Sequence, residues 1–143
     1  MIDLTGKKIL VTGASKGIGA AIVQNLVAAK ASVIAHYCSD EDGMKEVVGS
    51  LNTEDIVTFQ ADFRNKDDVD NLWNNAVNWR DGVDVLINNA AIIRFVGGID
   101  DSEDEWRETW EDTLAVNVMA PCNLMRRAVP HFRDNGGGII ISI

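Results

Sequence analysis

Three glycines stand in the run Thr12-Gly13-Ala14-Ser15-Lys16-Gly17-Ile18-Gly19, between a short aliphatic stretch and an alanine-rich one with helical periodicity. A strand that turns tightly into a helix brings backbone amides against a phosphate, because a helix N-terminus presents unpaired N–H groups and the positive end of its dipole. Each glycine has its own expected task. Gly13 permits the tight turn out of the strand, Gly17 lets the backbone approach a pyrophosphate, and Gly19 allows close packing of helix against strand. Ser15, Lys16 and Ile18 complete the face of that turn. Glycines also serve ordinary turns, and related folds bind S-adenosylmethionine or flavin. The triad therefore reads as a nucleotide site on the strength of its strand-turn-helix context.

Other polar residues fall where strands end. Asp62 follows the aliphatic run Ile56–Gln60, and Asn88-Asn89-Ala90-Ala91 follows Val83–Ile87. Taken singly, each is also what a strand-end turn uses, since Asp and Asn bond nearby backbone. Asn117 sits inside an apolar helical stretch, where a satisfied buried amide is the plain alternative. The acidic block from Asp100 to Asp112 reads as a solvated helix face with its acids near a helix start, not as a metal site. Arg94 reads as a surface arginine, and Trp106 and Trp110, one helical turn apart, as residues packed on the core or on a partner subunit. His36 and His131 have no cluster around them, and Cys38 and Cys122 form no CxxC motif, which leaves both cysteines as reduced packing residues in a cytosolic protein.

The elements that must position these groups alternate strictly. Strands are expected at Lys8–Val11, Ser32–Tyr37, Ile56–Gln60, Val83–Ile87 and Ile139–Ile141, and helices at Ile18–Lys30, Glu41–Leu51 and Asp67–Arg80. A long helical region from Ser102 to Phe132 is broken or bent near Pro121. Strands apolar throughout, separated by helices, imply a parallel sheet covered on both faces, the doubly wound α/β class. Right-handed crossovers then favour strand order 3-2-1-4-5, with a crevice where the winding reverses above strands 1 and 4.

Composition bounds the rest. The 143 residues, 46% hydrophobic, suffice for one domain with one sizeable core. A net charge of −9 and a pI near 4.5 argue against nucleic acid or an anionic membrane as partner. No apolar run approaches the roughly 20 residues of a membrane span, and the first residues lack the pattern of a signal peptide.

Together, the TGxxxGxG spacing of Thr12–Gly19, Asp62 past strand 3, Asn88-Asn89-Ala90-Ala91 after strand 4 and Val116-Asn117-Val118 resemble the short-chain dehydrogenase/reductase family, over the whole chain. The resemblance implies a Rossmann-type domain binding NADP or NAD, with a small carbonyl or alcohol substrate and a homo-oligomeric complete protein. It implies that Asp62, with its neighbour Phe63, meets the adenine, that Asn89, Ala90 and Ala91 line the cofactor crevice, and that Asn117 is catalytic, organising a water linked to the family's lysine. Tyr37 stands where an Asp or Glu would accept from a free ribose 2′-hydroxyl. Without that carboxylate a 2′-phosphate is not repelled, and Lys16 can pair with it, so NADP is moderately preferred. The family's frequent arginine at the next position is replaced by Cys38.

One family feature is missing. The Tyr-x-x-x-Lys pair that handles the proton has no counterpart, since Tyr37 is the only tyrosine. Family strands here resemble I-I-x-I-S-S, which aligns Ser142 with the x and places the family's catalytic serine just past Ile143. These residues therefore read as the N-terminal part of a longer enzyme and are expected to be inactive alone. The alternative is a non-catalytic dinucleotide-binding sensor or scaffold, with a methyltransferase a distant third.

Overall fold

The computed structural model describes residues 2–51 and 53–143. Five strands, β1 (Lys8–Val11), β2 (Ser32–Tyr37), β3 (Ile56–Gln60), β4 (Val85–Asn88) and β5 (Ile139–Ser142), form one parallel sheet in the order β3-β2-β1-β4-β5. That is the expected doubly wound order. Five helices cover it: α1 (Gly17–Ala28), α2 (Glu41–Gly49), α3 (Lys66–Asn78), α4 (Glu103–Leu114) and α5 (Ala120–Asp134).

Alternation along each strand divides the apolar residues between two faces. Leu10 lies in register between Ile34 of β2 and Leu86 of β4, and all three are fully buried. They pack with Leu72 and Trp73 of α3 and Leu124 and Phe132 of α5. Ile9, Val11, Val33 and Ala35 face the other way, onto Val23 of α1 and Met44 and Val47 of α2. Burial on both faces is why Ile9–Val11, Val33–Ala35 and Val85–Ile87 read as continuous aliphatic runs rather than alternating ones.

Several boundaries differ from expectation, each for a local reason. α1 stops at Ala28 rather than Lys30, because Lys30 adopts φ +67° and the chain closes with Lys30 N–H on Val27 O and Ala31 N–H on Leu26 O. This is a Schellman-type stop, here without the usual glycine. α2 ends at Gly49, short of Leu51, where Ser50 Oγ donates to Val47 O at 2.7 Å and Leu51 N–H closes a tighter turn on Val48 O. α3 ends at Asn78, and a 3₁₀ turn over Trp79–Asp81 carries Arg80 at φ +54° so that its guanidinium reaches Ser32 Oγ at 2.7 Å and Asp55. β4 begins at Val85, where the Asp84 side chain takes the Lys8 N–H at 2.8 Å in place of a backbone carbonyl.

The long helical region bends earlier than expected. A π turn over Ala115–Met119, closed by Ala120 N–H on Ala115 O, separates α4 from α5. In a continuous α-helix the Pro121 ring would strike the carbonyl of Asn117 and remove one bond of the ladder. The wider turn falls on the residues where that conflict arises and leaves Pro121 in the first turn of α5, a place that tolerates it.

Candidate functional site

The ends of β1 and β4 are laced together by two side chains. Thr12, buried at the end of β1, accepts at Oγ1 from the backbone N–H of Asn89 and of Ala90, both at 3.0 Å. Asn89 answers by donating from Nδ2 to the carbonyls of Thr12 at 2.9 Å and Gly13 at 3.0 Å. The crevice where the winding reverses therefore has a fixed floor, tied across about 77 residues of chain.

The glycine turn lies on that floor. A Cβ at Gly13, which has φ +68°, would sit 2.8 Å from Ala90 Cα, and one at Gly19 would sit 2.0 Å from the Gly13 carbonyl oxygen and 2.7 Å from Asn89 Nδ2. Gly19 is thus required by the turn itself and by Asn89, a more local reason than helix-on-strand packing. Gly17, at φ +56°, is different: a Cβ there would meet nothing within 4 Å. The space beside it is open, at the start of α1.

That start is itself unusual in this molecule. α2 is capped by the Asp40 side chain, α3 by Asn65 and α4 by a reciprocal Ser102–Glu105 box, and α5, also without a side-chain cap, continues directly from the π turn; α1 alone of the five opens from a loop with no side-chain cap and no acidic residue in its first turn. The first N–H groups of a helix need partners from outside it. At α1 they face the crevice.

A cavity of about 720 Å³ opens there, lined by Gly13, Ser15, Lys16, Ile18, Gly19, Asp62, Phe63, Asn89, Ala90 and Ala91 among the expected residues. Tyr37, Gly17 and Asn117 do not line it. Tyr37 ends β2 opposite Gln60 and packs against the core under α1 and α2, which leaves Cys38, Ser39 and Asp40 to form that wall. Cys38 and Cys122 are both exposed rather than packing residues, and partial desolvation with the nearby Asp62 carboxylate pushes the Cys38 thiol up, which disfavours a reactive thiolate. Lys16 reaches Asp40 at 3.9 Å and is largely exposed. Asn117 instead spends its amide on the loop after β4: Oδ1 accepts from Ile92 N–H at 2.8 Å, and Nδ2 donates to Ile92 O at 2.9 Å.

Ion pairs close the adjoining side. The Arg64 guanidinium forks onto Asp62 and holds its carboxyl below the usual carboxylate range, mainly through the side-chain hydrogen bonds. Arg64 also lies 3.8 Å from Asp112, which pairs with Arg94 as well. Arg94 is therefore not a free surface arginine, and Asp112 is an exception to the solvated acidic face, its side chain only 16% exposed. Trp106 and Trp110 are half exposed and lie against each other, with ring centroids 6.2 Å apart, rather than in the core.

His36, Asp40 and Arg64 are among the lining residues, and Thr12 is a floor residue, to which the sequence reading gave no task at this site. For His36, 23 residues from Gly13 and 25 from Ala61, no local signal existed. For Asp40 the capping position before α2 was a usable one. The Asn88 side chain is buried with neither amide atom partnered among the described residues.

Comparison with known proteins decides the family. The model of the short chain dehydrogenase family matches residues 7–143. This chain belongs to that family. It is 37% identical to 3beta-hydroxysteroid dehydrogenase 1 of Eggerthella lenta over 99% of this chain and 54% of the relative. It is 34% identical to versicolorin reductase of Emericella nidulans over 97% of this chain and 52% of the relative. A short chain dehydrogenase from Burkholderia cenocepacia, solved in complex with NADP, superposes with a TM-score of 0.82 at 34% identity, covering 97% of this chain and 55% of that one. The chain thus spans about half the length of the relatives it matches, and its family is one of oxidoreductases with a Rossmann-like fold. Among the described residues no helix is long and apolar enough to cross a membrane.

Proposed function

We propose that this chain is the cofactor-holding part of an NAD(P)(H)-dependent oxidoreductase that, when complete, acts on a carbonyl or alcohol substrate. The observation that carries the reading is the uncapped start of α1 beside the open face of Gly17, on a floor fixed by Thr12 and Asn89. An anionic pyrophosphate would supply the partners those N–H groups lack. The relative solved with NADP supports the choice of ligand. When bound, the nicotinamide ring supplies the hydride chemistry, and the protein orients it and manages the proton.

The residues divide the work by position. Gly13, Ser15, Lys16, Gly17, Ile18 and Gly19 would hold the phosphates, Asp62 and Phe63 the adenine end, and Asn89, Ala90 and Ala91 the stretch of crevice toward the reacting carbon. Asp62 meets its ligand already held by Arg64, so both belong to that end of the site. Asn117 acts as a positioning residue, since its amide fixes the backbone of Ile92 on the loop beyond Ala91. Tyr37 shapes the ribose wall only indirectly, through the turn to Cys38, Ser39 and Asp40. NADP is the proposed preferred cofactor. Asp40, 3.9 Å from Lys16, reduces that preference by competing for the ammonium. The complete protein is proposed to be cytoplasmic and to associate with copies of itself, with Trp106 and Trp110 available for that contact.

This span alone should bind without turnover, because its single tyrosine is followed four residues later by Glu41, so these residues hold no Tyr-x-x-x-Lys pair to relay a proton. Calorimetric titration with NADPH and NADH tests the binding reading. The expected result is saturable binding that Gly17→Val abolishes while the fold is retained, and unchanged affinity in that variant would overturn the assignment.

A further inference from the structure

The His36 ring stands at the meeting point of three strand ends and is 2% exposed. Its Nδ1 accepts from the backbone N–H of Gly13 at 3.1 Å, and its Nε2 lies 3.0 Å from the carbonyl oxygen of Ala61, just past β3. A carbonyl can only accept and an amide N–H can only donate, so both bonds together require a neutral ring protonated at Nε2. Phe63 stacks on the ring with centroids 4.2 Å apart and planes 3° from parallel. The His36 backbone carbonyl accepts from Ala14 N–H at 2.7 Å as well. The ring borders the same cavity as the glycine turn.

The two peptide units flanking Gly13 Cα are therefore gripped from two directions. The Gly13 N–H is held by His36 and the Gly13 carbonyl by Asn89 Nδ2 at 3.0 Å. At φ +68° Gly13 has no strand or helix ladder to hold it, and these two side chains set the direction in which the turn leaves β1. An apolar side chain could fill the volume of His36, but would leave the Gly13 N–H and the Ala61 carbonyl without partners.

We infer that His36 is a positioning residue of the dinucleotide site, aiming the glycine turn at its ligand by holding Gly13 N–H against the end of β3. The inference rests on the reading that the cavity takes a dinucleotide, and it assigns a task to a side chain that touches no reacting atom.

Two variants separate this role from mere filling of the core. His36→Phe keeps a flat ring able to stack on Phe63 but loses both hydrogen bonds. His36→Asn places an amide oxygen near the site of Nδ1, able to accept from Gly13, while losing the ring. Wild type and both variants are titrated calorimetrically with NADP⁺ and with NAD⁺, and thermal unfolding is followed in parallel. His36→Phe is expected to weaken both dinucleotides by roughly ten-fold, the worth of one buried hydrogen bond, with their ratio unchanged. His36→Asn is expected to stay within about three-fold of wild type, because the bond to the turn is what matters. Affinity in His36→Phe within two-fold of wild type, or His36→Asn as weak as His36→Phe, would overturn the inference. Should His36→Phe fail to fold, the imidazole ¹⁵N shifts of the wild type decide: a bare Nδ1 and a protonated Nε2 are expected, and the opposite tautomer contradicts the role. A wild type that binds neither dinucleotide removes the underlying reading instead, an outcome distinct from binding that is indifferent to His36.

Discussion

At the scale of single residues the site depends on how little room it leaves. Gly19 has the Gly13 carbonyl oxygen 2.0 Å from where a Cβ would stand, and backbone cannot yield as a flexible side chain does. Gly19→Ala should destabilise the fold by about 1–3 kcal/mol, the usual cost of overpacking, and weaken dinucleotide binding in step. Thermal unfolding and titration check both. Lys16 and Asp40 form an exposed pair whose own contribution to stability is small, but under the proposed NADP preference each would bear on a 2′-phosphate. Lys16→Ala should narrow the preference for NADP(H) over NAD(H), and Asp40→Asn should widen it, each by about 1 kcal/mol or less. Paired dissociation constants measure this, and movement of both variants in the same direction would contradict the electrostatic account. His36 brings a pH dependence. Burial lowers its pKa from 6.5 to about 4, so between those values the unfolded chain binds the extra proton and the folded one does not. Stability from this group is complete above pH 6.5 and falls as the pH drops toward 4. The loss amounts to about 3 kcal/mol. Urea unfolding across that range should show the slope in wild type, and it should flatten in His36→Phe. The glycine turn was legible in the sequence because Thr12–Gly19 is contiguous. His36 was not, because a lone histidine acquires meaning only when the sheet brings β1 and β3 to either side of β2.

At the scale of elements, strand order followed from apolar runs alternating with helical ones, but the joint between α4 and α5 did not. Period 3.6 marks helix on both sides of Asn117, and one wider turn leaves almost no trace in such a pattern. Pro121 announced a disturbance; its consequence lies upstream, at Ala115–Met119, because a proline conflicts with the residue four places before it. That turn presents Asn117 to Ile92, and the amide satisfies both polar groups of the Ile92 backbone. Asn117→Ala should therefore destabilise the protein by about 1–3 kcal/mol by leaving an N–H and a carbonyl without partners. Faster amide exchange at Ile92 with little change at Gly13–Gly19 is the expected signature, and uniform exchange across both would show that the π turn serves no particular loop. Likewise, α1 ends at Ala28 because of a lysine in a left-handed conformation, where sequence signals lead one to look for glycine or asparagine.

At the scale of the whole molecule, a five-stranded parallel sheet carries a crevice in which Thr12, Asn89 and His36 join the ends of β1, β2, β3 and β4, and Arg64 ties the end of β3 to α4. The first two bind β4 to β1, the third binds the glycine turn to the end of β3, and the fourth links Asp62 to Asp112 on α4. The central claim is that this crevice holds a nicotinamide dinucleotide with its pyrophosphate at the start of α1. The most direct measurement is the backbone amide spectrum of the isotopically labelled chain during titration with NADPH. The account predicts shifts concentrated at Gly13–Gly19, Asp62–Phe63 and Asn89–Ala91, with the largest at Gly17 and Ile18, and little change along α3 and α5. Saturable shifts centred elsewhere, or none at Gly17 and Ile18, would contradict it.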